Sequence, residues 1–327
     1  MEKAFLMRVC ETLGLGTVKE EPRRLTGGFL HKMVALFTDK GSYAVKLLNP
    51  YIMQRETAME NFRTAERFEA VLEELELPIL PALSFNGKKM QEIDGQYFYV
   101  FDWFDGKALQ PKEITAEHAA QMGKILADIH KAETTESDGT QDKLCIDWAD
   151  YTARLIKAEP ELGELIKANQ LFLEERQAAA NAALQKLPSV RTICHNDMDP
   201  KNVLWSGTSC RVIDLECLGY GSPYLELLET ALCWAGLDDC RIDSKLFCSF
   251  VKAYRDAGGV LPTDWSVLFD ANCGRLGWLE FCVQRALGEN CSEEEQKMGY
   301  DAVGVTLRQL LHAEEMKSAL LQKLTEL

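Results

Sequence analysis

The chain has 327 residues, 46% hydrophobic and 27% charged, the balance of a globular protein with core enough for one large or two medium domains. Lys and Arg number 36 against 51 Asp and Glu, a net charge of -15, which argues against a nucleic-acid partner because phosphates need a basic face. The acidity is compatible with a cationic substrate, although it is also an ordinary feature of soluble surfaces. Eleven cysteines, an odd number with no Cys-x-x-Cys pair, read as reduced, buried thiols rather than a disulfide or zinc framework, and so point to the cytoplasm. Glu2, Lys3, Arg8 and Glu11 interrupt the apolar residues at the start, which lacks the unbroken apolar core expected of a signal peptide, and no stretch reaches the length of a membrane span.

Residues 4–13 have helical spacing. A Gly27-Gly28 pair then separates two strand-like runs, and Asp39-Lys40-Gly41 turns the chain into residues 42–48, which predicts a three-strand meander. Glycines at such a turn let backbone amides approach phosphate oxygens, although most such pairs merely close a hairpin. Lys46 stands mid-strand between Val45 and Leu47, the Val-x-Lys context of a lysine that grips nucleotide phosphates. Taken alone, it reads better as an edge-strand lysine facing water. Ala58, Phe62, Ala65, Leu72 and Leu75 recur at helical spacing and predict a long helix over 57–75, ending before Pro78 and Pro81. Strands are predicted over 89–93 and 96–103 around the Asp94-Gly95 turn, the second so rich in aromatics that it suits a sheet core.

Beyond Gly106 the pattern turns helical. Residues 114–132 place Met122, Ile125, Leu126 and Ile129 on one face, with His130 read as a structural histidine near the end, and Asp138-Gly139 marks a loop. Residues 147–187 form long amphipathic helices interrupted near Pro160, and residues 227–327 form a helical series broken at Gly258-Gly259 and Pro262.

Between these helical regions lies the stretch on which the chemistry turns. Ile193-Cys194 and Val212-Ile213 read as short buried strands, and each delivers polar groups at its end: His195-Asn196-Asp197 with Asn202 a few residues on, then Asp214-Leu215-Glu216. Asp197, Asn202 and Asp214 carry oxygens suited to a hard cation and to the proton of a substrate hydroxyl. Phosphoryl transfer needs such a trio: one carboxylate to orient the nucleophile, an amide and a second carboxylate to hold magnesium against the phosphates. The plainer alternative is a turn between two core strands, with Asp and Asn as turn formers.

This pattern, with Lys46 upstream, resembles the aminoglycoside phosphotransferase and choline kinase family from about Leu25 to beyond Glu226. The resemblance implies an α+β, bilobal protein-kinase-like fold, with an N-terminal antiparallel sheet lobe carrying one long helix (residues 1–104) and a larger, mainly helical C-terminal lobe (residues 105–327). It implies ATP-dependent transfer of the γ-phosphoryl group to a hydroxyl of a small molecule, such as an amino-alcohol or amino-sugar, with Asp197 as base and Mg2+ held by Asn202 and Asp214. Nucleotide contacts fall on Lys46, Gly27, Gly28 and the backbone of Asp102 and Phe104 at the adenine. Glu66, or failing that Glu60, would pair with Lys46 from the long helix. His195 would brace the loop, while Glu216 would either reach a second metal through water or serve structurally. Asn196 stands where the aminoglycoside branch has Gly and matches the choline-kinase branch, and Glu226 stands where the family commonly has a structural Asp. Residues 147–187 correspond to a helical insertion that helps to wall the substrate cleft in relatives. Trp148, Tyr220, Tyr224, Trp234 and Trp278 are candidate aromatic faces for an ammonium group, although aromatics at helical spacing are more often core. A catalytically inactive, kinase-like nucleotide-binding protein is the alternative. It would be expected to have lost the lysine or a metal ligand, and both are present.

Overall fold

The structure, a computed structural model, describes residues 2–25, 31–136 and 143–326. Helix α1 (Glu2–Leu13) precedes strands β1 (Arg23–Leu25), β2 (Lys32–Phe37) and β3 (Ser42–Leu47). Then come α2 (Pro50–Met53), α3 (Ala58–Glu74), β4 (Gln91–Ile93), β5 (Gln96–Asp102) and β6 (Lys107–Ala108). Helix α4 (Ala116–Ala132), strand β7 (Thr134–Glu136) and helices α5 (Trp148–Ala158) and α6 (Pro160–Leu184) follow. Strands β8 (Val190–Cys194), β9 (Val203–Ser206), β10 (Ser209–Val212) and β11 (Gly219–Gly221) frame the acidic motifs. The chain continues through α7 (Pro223–Trp234), α8 (Ser244–Asp256), α9 (Trp265–Ala271), α10 (Gly274–Ala286) and α11 (Glu293–Leu324). The chain forms two compact units, Met1–Ala108 with Lys201–Cys217, and Leu109–Pro200 with Leu218–Leu327.

In the first unit an antiparallel sheet runs in the order β1-β2-β3-β5-β4. Strand alternation gives it two different faces. Val34, Val45, Phe98 and Val100 pack with Leu6 and Val9 of α1, while Tyr99 joins Leu48 and Phe62 of α3 on the other face. The predicted meander is present as β1, β2 and β3, and Gly27 and Gly28 lie outside the described residues. Helix α3 forms because Ala58, Phe62, Ala65, Phe68 and Leu72 fall on one side and are all buried. It stops where Glu76 turns to a positive φ of 53°, just before Pro78. The β9–β10 hairpin belongs to this unit, with residues 1–108. Strand β6 pairs with β9, and β10 is tied to the segment after α3 by Leu80 N–H on Val212 O and Val212 N–H on Pro78 O, both 2.8 Å.

The second unit packs helices around a short antiparallel sheet, β11-β8-β7. Pro160 opens α6 at its first turn, where a missing N–H costs nothing, and this separates α5 from α6 as the sequence predicts. Trp148, Leu155, Ile166, Leu173, Leu279 and Leu307 form one apolar core. Gly123 lets α4 approach α8: a Cβ there would lie 2.2 Å from Phe250 O. Ser292 opens the 32-residue α11 with a capping box to Glu295.

Candidate active site

In the first unit, Lys46 lies on β3, between β2 and β5, so it is not an edge-strand residue. Val45 and Leu47 go to the α1 face, which sends the intervening lysine to the α3 face, where it is buried. Its ammonium group pairs with the carboxylates of both Asp214 and Glu216. Burial alone would lower the Lys46 pKa, but the two carboxylates outweigh it and hold the pKa above its ordinary 10.5. Glu66, expected from α3, is engaged elsewhere: its carboxylate accepts Met90 N–H at 3.0 Å and the Tyr99 hydroxyl at 2.9 Å. Glu60 is exposed in the first turn of α3. Lys46, Glu66, Glu69, Tyr99, Asp214 and Glu216 line a pocket of about 20 Å³, room for a single water.

Asp214 follows β10 with a positive φ of 65°, an uncommon conformation for a side-chain-bearing residue and one that clusters at functional sites. Ile213 N–H donates to Asn202 O at 2.9 Å, bringing the two ends of the β9–β10 hairpin together beside Asp214. An amide and a carboxylate on adjoining backbone are oxygen donors of the kind a hard divalent cation takes. The Asp214 carboxylate already receives one cationic group, the Lys46 ammonium. Such donor chemistry is of the kind a magnesium ion would take. Asp102 ends β5, and two residues on the Phe104 carbonyl accepts Gly106 N–H at 2.9 Å.

In the second unit, β8 leads into the loop carrying Asp197. His195 is fully buried, and its Nδ1 accepts Asp197 N–H at 3.2 Å, a bracing contact. Asn196 has a positive φ of 63°, and its N–H donates to Glu226 Oε1 at 2.5 Å. The other oxygen of Glu226 bonds His130 Nε2 at 2.7 Å, and His130 Nδ1 bonds the Tyr254 hydroxyl at 2.8 Å. Trp234 Nε1–H holds Met198 O at 2.9 Å. The loop is thus fastened to α7 directly and to α4 and α8 through a chain of buried polar groups. Glu226 and His130 have the structural roles read from the sequence.

His31 gave no signal of its own in the sequence. It is buried, accepts Asn49 N–H on Nδ1 at 2.9 Å and reaches Glu216 Oε1 with Nε2 at 3.0 Å. Of the five candidate aromatics, Trp148, Tyr224 and Trp234 are core, while Tyr220 and Trp278 are 41% and 38% exposed. Tyr220 bonds to Glu133, and Trp278 stacks on Phe281 at 5.2 Å. All eleven cysteines are free thiols. Among the described residues no helix is long and apolar enough to cross a membrane.

Burial pushes the Glu216 and Glu226 carboxyls up, but Lys46 and His31 at the first, and His130 and Asn196 N–H at the second, bring both below the ordinary 4.5. The unfolded chain therefore binds these protons at higher pH than the native one. Their contribution to stability is complete above pH 4.5 and is lost as the pH falls below it. Acid denaturation of Glu216→Gln should show a shallower loss of stability over that acid range than the wild type. Parallel curves would remove Glu216 from the acid-sensitive set.

A sheet with a buried lysine on its α3 face, and a helical unit that fixes an Asp-bearing loop, define a protein-kinase-like α+β fold. Residues 21–268 match the model of the phosphotransferase enzyme family, and the chain belongs to that family. It is a phosphotransferase enzyme. No curated protein sequence matches the chain. Among solved structures, a spectinomycin phosphotransferase in complex with ADP and spectinomycin is similar with a TM-score of 0.69 and 13% identity, over 94% of this chain and 98% of that one. An amicoumacin kinase in complex with AMP-PNP, Ca2+ and Ami gives a TM-score of 0.63 and 14% identity, over 96% of each chain. Choline kinase from Cryptosporidium parvum Iowa II gives 0.54 and 12% identity, over 98% of this chain and 97% of that one. At such identities these likenesses bear on the fold alone.

Proposed function

We propose that the chain transfers the γ-phosphoryl group of ATP to a hydroxyl of a small amino-alcohol or amino-sugar. The observation that carries this reading is the buried Lys46 in contact with Asp214, which follows Ile213, the residue whose N–H donates to Asn202 O. Three structures of the same fold support it: a spectinomycin phosphotransferase with ADP, an amicoumacin kinase with AMP-PNP and Ca2+, and a choline kinase. Eleven free thiols suit a reducing compartment, and we place the enzyme in the cytoplasm.

Nucleotide phosphates repel an incoming hydroxyl oxygen, so the site must offset their charge before transfer. Lys46 does part of this by exchanging a carboxylate for phosphate oxygens. Asn202 and Asp214 would hold Mg2+. The ion, when bound, supplies neutralisation and orientation of the phosphates. Asp197 accepts the hydrogen bond of the acceptor hydroxyl and takes its proton as the new P–O bond forms and the bond to ADP breaks. Asn196 and His195 keep the Asp197 backbone in place through the contacts described above. Asp102 and Phe104 offer backbone groups to the adenine.

A coupled ADP-release screen with ATP and magnesium over choline, amino-alcohols, aminoglycosides and sugars tests the reading. ADP release stimulated by a hydroxylated amine is the expected result. ATP binding without stimulation by any acceptor would favour an inactive nucleotide-binding protein instead. Retention of Lys46, Asn202 and Asp214 together speaks for the enzyme. Lys46→Ala should weaken ATP affinity about 10- to 100-fold, the range for a charged hydrogen-bonding partner. An unchanged ATP titration would take Lys46 out of the site.

A further inference from the structure

We propose that Glu216, clamped by His31, is the carboxylate that positions Lys46 for the nucleotide phosphates, with His31 a positioning residue of the nucleotide site. The proposal rests on the nucleotide reading given above.

The geometry of the imidazole leaves little freedom. Nδ1 accepts the backbone N–H of Asn49 at 2.9 Å, so its lone pair is engaged. The ring proton therefore sits on Nε2, and Nε2–H donates to Glu216 Oε1 at 3.0 Å. Asn49 is itself fixed, since its side chain caps α2 by accepting Tyr51 N–H at 2.9 Å. With Oε1 taken by the ring, Oε2 is the oxygen left to Glu216, and that oxygen meets the Lys46 ammonium. Both side chains of the His31–Glu216 contact are nearly closed to solvent, at 4% and 16% exposure. Water therefore competes weakly for either group.

A lysine head group on a four-carbon stem has many rotamers, and a carboxylate free to rotate would not choose among them. A carboxylate with one oxygen already bound does. Asp214 also touches Lys46, but in the proposed reaction its charge is committed to the metal. One oxygen of Glu66, Oε1, takes both Met90 N–H and the Tyr99 hydroxyl, and the Lys46 ammonium goes to Asp214 and Glu216 instead. Glu216 is then the standing partner of Lys46 while nucleotide is bound, and His31 acts on the phosphates through it. Loss of an outer partner of this kind commonly costs about 10- to 100-fold in affinity or activity at metal sites, and a similar range is expected here.

The test compares two substitutions that divide the functions of the ring. His31→Asn keeps an acceptor near the Nδ1 position for Asn49 but loses the donor to Glu216. His31→Gln extends an amide N–H to about where Nε2 stands. Full-length proteins are titrated calorimetrically with ATP plus magnesium chloride and, separately, with adenosine, which has no phosphates for Lys46 to grip. His31→Asn should weaken ATP about tenfold and leave adenosine within about twofold, and His31→Gln should restore most of the ATP affinity. Equal weakening of ATP and adenosine, or no weakening of either, would overturn the proposal. Glu216→Gln provides a second route should His31→Asn fail to fold, with the same selective loss of ATP expected. If wild type binds ATP and Lys46→Ala does not, while His31→Asn and Glu216→Gln bind like wild type, only this inference fails. If wild type itself does not bind ATP, the nucleotide reading fails and this inference falls with it.

Discussion

Asp197→Asn is expected to lower turnover by about 10²- to 10⁴-fold, the range for loss of a general acid–base group. The amide is close in size to the carboxylate, and the contact that fixes this residue to its neighbour, Asp197 N–H on His195 Nδ1, uses the backbone and survives the change. What disappears is the group that takes the acceptor's proton. ATP affinity should stay within about twofold, because the phosphate contacts are assigned to Lys46, Asn202 and Asp214. Steady-state ADP release with the acceptor found in the screen, set beside an ATP titration, separates the two effects. Turnover by Asp197→Asn at the wild-type rate would end the assignment of this residue as base.

Glu226→Ala is expected to cost about 3–5 kcal/mol of folding stability, as for other buried pairs broken on one side. Three features make it severe. Both oxygens of Glu226 are used, by Asn196 N–H and His130 Nε2. Glu226 and His130 are both buried, so the imidazole loses its carboxylate partner where water cannot readily replace it. Asn196 also holds a positive φ, which the lost bond no longer supports. Urea unfolding should show a lower midpoint at an unchanged slope. The double change Glu226→Leu with His130→Phe should cost less than the sum of the two single changes, since each single change leaves one member of the buried His130–Glu226 pair without its mate. A midpoint shift worth less than about 1 kcal/mol for Glu226→Ala would show that the loop does not depend on this bond.

The sequence was most legible where local rules act alone. Val45 and Leu47 on either side of Lys46 disclose the strand alternation, and the lysine is found on the opposite face. Pro160 separates two helices where it stands. Asp197, Asn202 and Asp214 each sit just beyond or within a turn next to a short buried strand, as their apolar neighbours predict. The partner of Lys46 was not legible. Helical spacing on α3 offers several acids, but Glu66 is drawn instead to Met90 and Tyr99, which follow the helix in sequence. The actual partners come from about 170 residues further along the chain. His31 was invisible for the same reason, since its value lies in two contacts that only the tertiary fold creates. Among the aromatics, spacing alone could not separate Trp148 and Trp234, which are core, from Trp278, which is partly exposed.

The carboxylates of α3 have a mechanical consequence. Glu66 holds Met90 N–H, Glu69 holds Ala82 N–H and the Lys89 ammonium at 2.8 and 2.6 Å, and Glu73 holds Lys89 as well. Three successive turns of the helix are thereby bolted to the strap that runs from Ala82 to Met90. Swinging the helix alone would snap all these anchors at once, so helix and strap travel as one rigid body or not at all.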